Sequence, residues 1–480
     1  MLWMCLYLPD LPLEIHTRGV EIEGPFAICV KDGGRDYISL CNEHAAEHGV
    51  CVGQRLGIAQ ALCSGLRVKP RDDEAEWGAT QNVAIWLSQF SSFISLEGSQ
   101  TLFLEVGGSV TLFGGVQALT QQIQDGLEAL GYTARWAVAP FPRAAALLAR
   151  AGQCQWLADS TAVKAAVGDV SIDCLELPAD IRKGLQGLGL KRVSECFSLP
   201  SAGLAKRFGK ESVMYFDRLR GYTSEPLRPY LPPLRFASCI ELPAATDQTE
   251  ALLFVAKRLI VELVGYLRGR GAGAQRLLWM LSHEKNTSTR FQIGLVAPSR
   301  EESHFVELLR TRLERVQLTQ AVYALGLIVE EVVPLAASDQ SLWGKTQPQE
   351  AWALLVERLS SRMGDESLHG LINADDHRPE RAWRSAKLGA PPSKDMLLAN
   401  KQRPLWLLDS PQALSVSNNW PHKNGKLEIL SGPERIESGW WDEESVDRDY
   451  YIAKNETGER FWIYRERRDA RMWFLHGLFS

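Results

Sequence analysis

The first third of the chain alternates short apolar runs with amphipathic segments. Residues 1–8 are apolar at every position, which is typical of a strand buried on both faces. Further along, the spacing of apolar residues predicts helices over 76–92 and 114–131 and a strand over 133–139. Strands that alternate with helices favour an α/β sheet domain, which we place at residues 1–170.

The pattern changes twice after this domain. Residues 171–235 hold short helical segments broken by glycine and end in a proline-rich linker. Between 182 and 228 there are ten Lys or Arg residues against four Asp or Glu. Residues 236–337 predict strand, helix, two strands, helix and strand, which is a compact βαββαβ unit. The fold class predicted for the whole chain is therefore α+β with several domains.

The periodicity weakens from residue 338 to residue 480. Residues 384–402 and 408–436 are rich in Ser, Pro, Lys and Asn, and we expect them to form loops or a tail. Nine of the 15 tryptophans nevertheless lie after residue 340. Tryptophan at that density indicates either a small folded cap or segments that dock on partners.

Composition limits the classes of protein to which this chain can belong. The net charge is −5, so any nucleic-acid binding must come from local basic patches. The nine cysteines form no CxxC pair, which favours reduced thiols in a cytoplasm over disulfides or a zinc site. The N-terminus lacks a basic region before its apolar run, and no apolar run is long enough to span a membrane, so we expect no signal peptide and no membrane partner.

The order of the modules resembles that of the Y-family translesion DNA polymerases. The strings CLYLPDLPLE, GSQTLFLEV and AVAPFPRAAALLAR, which begin at residues 5, 98 and 137, carry the resemblance locally. It implies a palm with inserted fingers at 1–170, a helix-hairpin-helix-like thumb with its linker at 171–235, and a little finger at 236–337.

The resemblance also locates the acidic positions that active family members use. In those members an Asp-x-Asp element and an Asp-Glu pair hold metal ions, and the matching positions here are Cys5, Tyr7, Gln100 and Thr101. A shift of one residue would move the first two to Leu6 and Leu8, which also lack carboxylates. Nucleotidyl transfer needs divalent ions held by hard oxygen ligands. We therefore expect no metal, no cofactor and no polymerase activity.

Two alternatives stay open on the sequence. An active translesion polymerase could use an unfamiliar metal site built from other acids, for which Asp10, Glu14, Glu97 and Glu105 are available. The chain could also be a DNA-binding regulator unrelated to polymerases.

The C-terminal region resembles the ImuB family, which consists of catalytically inactive Y-family relatives. The strings that carry this resemblance are DHRPERAW (376–383), RPLWLL (403–408), GPERIESGWW (432–441), RDYYIA (448–453) and WFLHGLFS (473–480). The family implies an SOS-type DNA-damage response in the cytoplasm, at the nucleoid. It also implies an ImuA-type recombinase-like partner and an error-prone replicative-class DNA polymerase α subunit that performs the synthesis.

One short motif predicts a further partner. Gln402, Leu405 and Trp406 follow the Gln-x-x-Leu-aromatic pattern of peptides that enter the bacterial β sliding clamp. A leucine and an aromatic ring fill an apolar pocket, while the glutamine forms hydrogen bonds at its edge. The alternative is that Leu405 and Trp406 pack on a neighbouring domain.

Two basic sets are candidate contacts for primer-template or damaged DNA. Glycines in the thumb-like segment let backbone amides approach a phosphate, and nearby cations add affinity that does not depend on sequence. Arginines of the little-finger-like unit could follow the phosphate backbone. The candidates are Gly187, Gly189, Lys191, Arg192, Lys206, Arg207, Lys210, Arg268, Arg270, Arg276 and Arg290.

Overall fold

The chain forms two compact units, Met1–Arg362 and Met363–Ser480, in a computed structural model. Each unit is described separately. The described residues are 1–18, 24–284, 287–316, 318, 320–335, 355–356, 359, 362–363, 367–387, 403–441, 445–467 and 472–479.

A four-stranded antiparallel sheet forms the centre of the N-terminal domain. Its strand order is β5-β6-β1-β7, so β1 is an inner strand. The elements of this domain are β1 (Trp3–Tyr7), α1 (Leu11–Thr17), β2 (Phe26–Asp32), β3 (Arg35–Cys41), α2 (Glu43–Glu47), α3 (Leu56–Leu62), β4 (Arg67–Pro70), α4 (Asp73–Leu87), β5 (Ile94–Glu97), β6 (Thr101–Glu105), α5 (Val116–Leu130), β7 (Arg135–Ala139), α6 (Pro142–Arg150) and α7 (Ser160–Asp169).

The continuous apolar character of β1 follows from its position. Met4 and Leu6 pack with the core beneath α4 and α5, while Cys5 packs on the other face with residues of α6. A strand covered on both faces has no polar side to alternate with. The prediction of a buried strand at residues 1–8 is thus confirmed.

A second, three-stranded sheet lies between α1 and α4 in the sequence. Its order is β3-β2-β4, and β2 and β3 form an antiparallel hairpin. Gly33 and Gly34 at the turn both have positive φ, which suits glycine in a tight hairpin. This small module occupies the place that the resemblance assigns to the inserted fingers.

Short helices follow, as the glycine-broken pattern predicted. They are α8 (Ala179–Gly187), α9 (Val193–Phe197), α10 (Ser201–Phe208) and α11 (Lys210–Arg220). Their buried residues, such as Leu185 and Phe216, share one core with α6 and β7. The helices therefore pack directly on the sheet domain.

The βαββαβ unit is present as predicted. Its sheet order is β10-β9-β11-β8, with a short additional strand on β9 and both helices on one face. Its elements are β8 (Phe236–Thr246), α12 (Thr249–Gly269), β9 (Ala272–His283), β10 (Thr287–Ser299), α13 (Glu302–Leu313), β11 (Val322–Val329) and β12 (Val332–Pro334).

Helix α12 packs closely against the N-terminal domain. The indole ring of Trp86 lies against Gly126 of α5 and Gly265 of α12, where an added Cβ would overlap the ring. The buried guanidinium of Arg18 also donates hydrogen bonds to Tyr132 and to Glu262 of α12. Close backbone approach and one buried ion pair together fix the βαββαβ unit to the sheet domain.

The second unit contains an antiparallel sheet of order β15-β21-β20-β19-β18 and two small two-stranded sheets. Its strands are β13 (His369–Asn373), β14 (Trp383–Lys387), β15 (Trp406–Ala413), β16 (Ser415–Ser417), β17 (Trp420–His422), β18 (Glu428–Ser438), β19 (Val446–Lys454), β20 (Arg460–Glu466) and β21 (Trp473–Leu478).

Strands therefore occupy 384–387 and much of 408–436, where the sequence predicted loop or tail, and that prediction is corrected here. β15 and β18 are the two outer strands of the five-stranded sheet, and most of their residues are exposed. Such strands need few apolar residues and often carry proline and charge. Residues 388–402 lie outside the described part of the chain. None of the described helices combines the length and apolar character that crossing a membrane requires.

The contact of α12 with Trp86 gives a first prediction. Gly265→Ala places a methyl group into the Trp86 ring, so the free energy of unfolding should fall by about 1–3 kcal/mol despite the better helix propensity of alanine. Urea denaturation of the full chain measures it.

Gly78→Ala is the matched control, because Gly78 lies in the same helix as Trp86 and an added Cβ meets nothing within 4 Å. It should leave stability unchanged or raise it by up to about 1 kcal/mol. Equal stabilities for the two variants would contradict the described packing.

Candidate functional site

The four positions that the resemblance marks as acidic lie at one end of the N-terminal sheet. In the register of β1 and β6, Tyr7 pairs with Thr101 and Cys5 with Phe103. The side-chain amide of Gln100 donates to the carbonyl oxygen of Leu8 at 3.1 Å and to that of Pro9 at 3.2 Å. These two hydrogen bonds close the turn next to Tyr7 and Thr101. The positions that the resemblance marks as acidic therefore lie near one another in the fold.

An arginine lies over two of these residues, Tyr7 and Thr101. The guanidinium carbon of Arg150 in α6 lies 4.5 Å from the centre of the Tyr7 ring, and Arg150 donates to Thr101 Oγ1 at 3.3 Å. Cys5 is fully buried, and burial is the main cause that raises the pKa of its thiol well above the ordinary value. This place thus holds a fixed cation and a protonated thiol.

A second arginine of α6 organises the surroundings. Arg143 donates to Glu97 of β5 and to Glu176, both at 2.8 Å, and also to Glu225. Arg150 forms an ion pair with Glu176 as well. Burial by itself lowers the pKa of Arg143, but hydrogen bonds to Glu225 and Glu97 outweigh it and raise that pKa above the ordinary value. We call Arg143, Arg150, Glu97, Glu176 and Glu225 the arginine–glutamate network.

Sequence reasoning did not identify this network as a whole. Its signal was in PRAAALLAR, where an arginine stands at each end of an otherwise apolar helix, seven residues apart and so on one face. The glutamates gave no signal, because Glu176 and Glu225 are remote from α6 in the sequence.

The other acids do not assemble into a metal site. Glu105 is bound at the far end of β6, where it accepts from the Leu2 and Gly107 amides, both at 3.2 Å. Glu14 accepts from the Thr133 amide at 2.7 Å, and burial raises the pKa of Glu14 to about 7. Asp10 stands at the start of α1. Among the described residues, no group of three or more His, Cys, Asp or Glu side chains could hold a metal ion.

The thumb-like candidates surround two exposed turns. Gly189 follows α8 with φ +79°, and Gly209 lies between α10 and α11 with φ +84°. The Lys191 and Arg192 amides donate to Glu195 at 2.6 and 3.1 Å, and these two hydrogen bonds are the main cause that lowers the pKa of Glu195. The remaining members of this set, all of them exposed, are Gly187, Lys206, Arg207 and Lys210.

The little-finger-like candidates form two pairs. Arg276 and Arg290 lie on the sheet face opposite the helices, and Arg276 forms an exposed ion pair with Glu331 at 2.7 Å. Arg268 and Arg270 lie at the end of α12. Arg270 donates to the carbonyl oxygens of Pro232 and Pro233 at 3.3 and 2.6 Å, so it also holds the linker. DNA contact by these residues stays a prediction.

The clamp motif falls partly within the described residues. Gln402 lies outside them. Leu405 is 96% exposed and Trp406, at the start of β15, is 69% exposed. Neither side chain is buried in a hydrophobic core of the second unit.

Several strings of the C-terminal region meet around one buried histidine. His476 Nδ1 lies 2.8 Å from the hydroxyl of Tyr450, and its ring stacks on Trp462. Arg448 donates to that hydroxyl at 3.2 Å and to Glu380 at 3.0 Å. The strings at 376–383, 448–453 and 473–480 are therefore parts of one polar core, while Trp440 and Trp441 remain exposed.

The arginine–glutamate network gives a second prediction. Arg143→Met leaves three carboxylates without their shared cation, and breaking a buried ion pair from one side typically costs about 3–5 kcal/mol. We expect a loss of that order in the free energy of unfolding, measured by urea denaturation. The control is Arg192→Met, because Arg192 forms an exposed pair with Asp169 and should cost less than about 1 kcal/mol. A loss for Arg143→Met no larger than the control would show that the network does not support the fold.

Comparisons with known proteins agree with the resemblance seen in the sequence. Residues 17–150 match the impB/mucB/samB family. Protein ImuB of Caulobacter vibrioides (strain NA1000 / CB15N) is 28% identical over 464 residues, which cover 90% of this chain and 100% of that protein. DNA polymerase IV of Yersinia pseudotuberculosis serotype O:1b (strain IP 31758) is 25% identical over 209 residues, 43% of this chain and 59% of that protein.

The chain is also similar to a solved structure of DinB from Sulfolobus solfataricus, with 17% sequence identity and a TM-score of 0.40. The match covers 70% of this chain and 100% of the DinB chain. The match to Protein ImuB extends through both units, and the family match falls within the N-terminal sheet domain and its inserted module. The chain is thus ImuB-like along nearly all of its length, with an N-terminal region that matches the impB/mucB/samB family.

Proposed function

We propose that this chain is a non-catalytic adaptor in SOS-induced, error-prone translesion DNA synthesis. In this role it binds primer-template DNA weakly and links the β sliding clamp, an ImuA-type recombinase-like protein and the α subunit of a separate error-prone replicative-class polymerase. We place it in the cytoplasm, at the nucleoid. The observation that carries the proposal is the arginine over Tyr7 and Thr101, at the end of the sheet where Y-family polymerases hold metal ions.

The chemistry of polymerisation explains why this observation matters. Two divalent ions must be held by carboxylates so that they can activate the primer hydroxyl and neutralise the triphosphate. Cys5, Tyr7, Gln100 and Thr101 offer no carboxylate, and the nearby glutamates of the arginine–glutamate network are already bound to cations. The charge of Arg150 would also repel a dication at short range. A second protein must then supply catalysis.

The exposed segments support the adaptor role. Leu405 and Trp406 are available to a pocket, and the basic turns of the thumb-like helices are available to phosphates. Several modest contacts on one chain raise the effective concentration of each partner to roughly the millimolar range, so that avidity exceeds any single affinity. The resemblance to Protein ImuB along nearly the whole chain supports the same reading.

A primer-extension assay gives the third prediction. The purified chain, with Mg²⁺ or Mn²⁺ and all four nucleotides, should extend no primer, because the four positions expected to carry the ion-binding acids are Cys5, Tyr7, Gln100 and Thr101. It should still be retained on primer-template DNA, and retention should fall as salt rises, because the expected contacts are to phosphates. An active translesion polymerase in a parallel reaction is the positive control.

Robust extension would instead support an active polymerase with a divergent metal site. That reading requires extension to disappear when Asp10, Glu97 or Glu105 is changed to alanine. Absence of both extension and retention would favour neither polymerase-like role.

Clamp capture gives the fourth prediction. A triple variant of the full chain, with alanine at Gln402, Leu405 and Trp406, tests clamp binding. It should no longer be retained on immobilised sliding clamp, because the side chains that fill the pocket are removed. The matched control carries alanine at Leu430 and Trp440, an exposed leucine and tryptophan of the same unit outside the motif. Unchanged retention of the triple variant would end the clamp proposal and favour a DNA-binding regulator without a polymerase link.

A further inference from the structure

The described part of the clamp motif, residues 403–406, is attached to the five-stranded sheet. Arg403 forms an ion pair with Glu434 of β18 at 2.6 Å. The same guanidinium carbon lies 5.5 Å from the ring centre of Trp462 in β20, a side chain that is almost fully buried. Side chains from two strands of the sheet, β18 and β20, thus hold one side chain of the motif.

A glycine in β21 holds the next residues. A Cβ added to Gly477 would overlap the ring of Pro404 and would lie 3.0 Å from the carbonyl oxygen of Trp406. Trp406 is also the first residue of β15 and pairs with Leu478. The chain can lie this close to β21 only because position 477 has no side chain.

The motif contains two kinds of residue: those that the sheet binds and those whose side chains are exposed. The Gln-x-x-Leu-aromatic pattern leaves its second and third positions open, and these are Arg403 and Pro404, which the sheet binds. The fourth and fifth positions, Leu405 and Trp406, are 96% and 69% exposed. The anchoring contacts use only side chains that the clamp pocket does not require.

We propose that the five-stranded sheet pre-organises the clamp-binding segment, with Arg403, Glu434 and Gly477 as positioning residues. This inference rests on the proposed clamp binding and adds how the segment is presented. A free peptide loses backbone freedom when it enters a pocket, whereas a segment already fixed in its bound form does not. The ion pair therefore affects affinity although Glu434 lies outside the motif.

A charge-swap cycle on the full chain tests the proposal, with clamp affinity measured by surface plasmon resonance. Glu434→Arg and Arg403→Glu should each weaken binding about fivefold to tenfold, because the segment is released and must be ordered again on binding. The double variant, in which the pair is reversed, should recover most of the affinity. Gly477→Ala should weaken binding to a similar extent, because it displaces Pro404.

Glu437→Arg is the matched control. Glu437 lies in the same strand as Glu434, its side chain is 70% exposed, and its distance to Arg467 is 3.8 Å. Clamp affinity should not change in this variant. Amide hydrogen exchange over 403–413 gives a readout independent of the clamp, and it should accelerate in both single charge variants and slow again in the double variant.

The outcomes separate the inference from the proposed function. If the Gln402, Leu405 and Trp406 triple variant abolishes binding while the charge variants and Gly477→Ala bind like the unaltered chain, pre-organisation is wrong and clamp binding stands. If the triple variant still binds, both fail. If the single charge variants weaken binding and the double variant does not recover it, the two charges do not act through their contact with each other and the positioning role is overturned.

Discussion

The buried guanidinium of Arg143 is the interaction on which the N-terminal unit depends most. It binds Glu97 from the sheet, Glu176 from the segment that leads into the short helices, and Glu225 from the segment that leaves them. Burying one cation is unfavourable unless its charge and its donors are satisfied. Three carboxylates from distant parts of the sequence meet that requirement, and in doing so they fix the start and the end of the thumb-like helices to the palm-like sheet.

The little-finger-like unit is attached by the same kind of device. Arg18, buried beside Tyr132, reaches Glu262 of α12, and Trp86 fills the space that Gly126 and Gly265 leave open. A buried ion pair favours the arrangement that forms it, because an arrangement that separates the two charges leaves each of them buried without a partner. In an adaptor, such fixed modules would keep the basic turns predicted to contact DNA and the sheet face of Arg276 and Arg290 at constant spacing without any need for turnover.

The parts of the fold that sequence reasoning predicted are those with a strong local signal. The apolar run of β1, the glycine-broken helices and the βαββαβ order each depend on periodicity within a single element. The alignment of Cys5, Tyr7, Gln100 and Thr101 depended on a resemblance, and the strands do bring these residues together. The arginine–glutamate network could not be predicted in full, because Glu176 and Glu225 meet Arg143 only through tertiary packing. The strands at 408–436 were missed because outer strands with exposed faces resemble loops in composition.

The arginine–glutamate network and the outer strands of the second unit escaped prediction for the same physical reason. A polar residue in the core and a polar residue on an outer strand look alike in a sequence, since each departs from the apolar pattern of its element. Only the partner distinguishes them: Arg143 has carboxylates around it, and Arg403 has Glu434 and the ring of Trp462. In both places an arginine forms ion pairs that attach a segment to a sheet. At Arg143 the attached segments are those before and after the short helices, and at Arg403 the attached segment carries two exposed apolar side chains, Leu405 and Trp406. An arginine held between acidic side chains is thus a feature common to both units, and the proposed adaptor role would use it for attachment in the first unit and for presentation of a binding segment in the second.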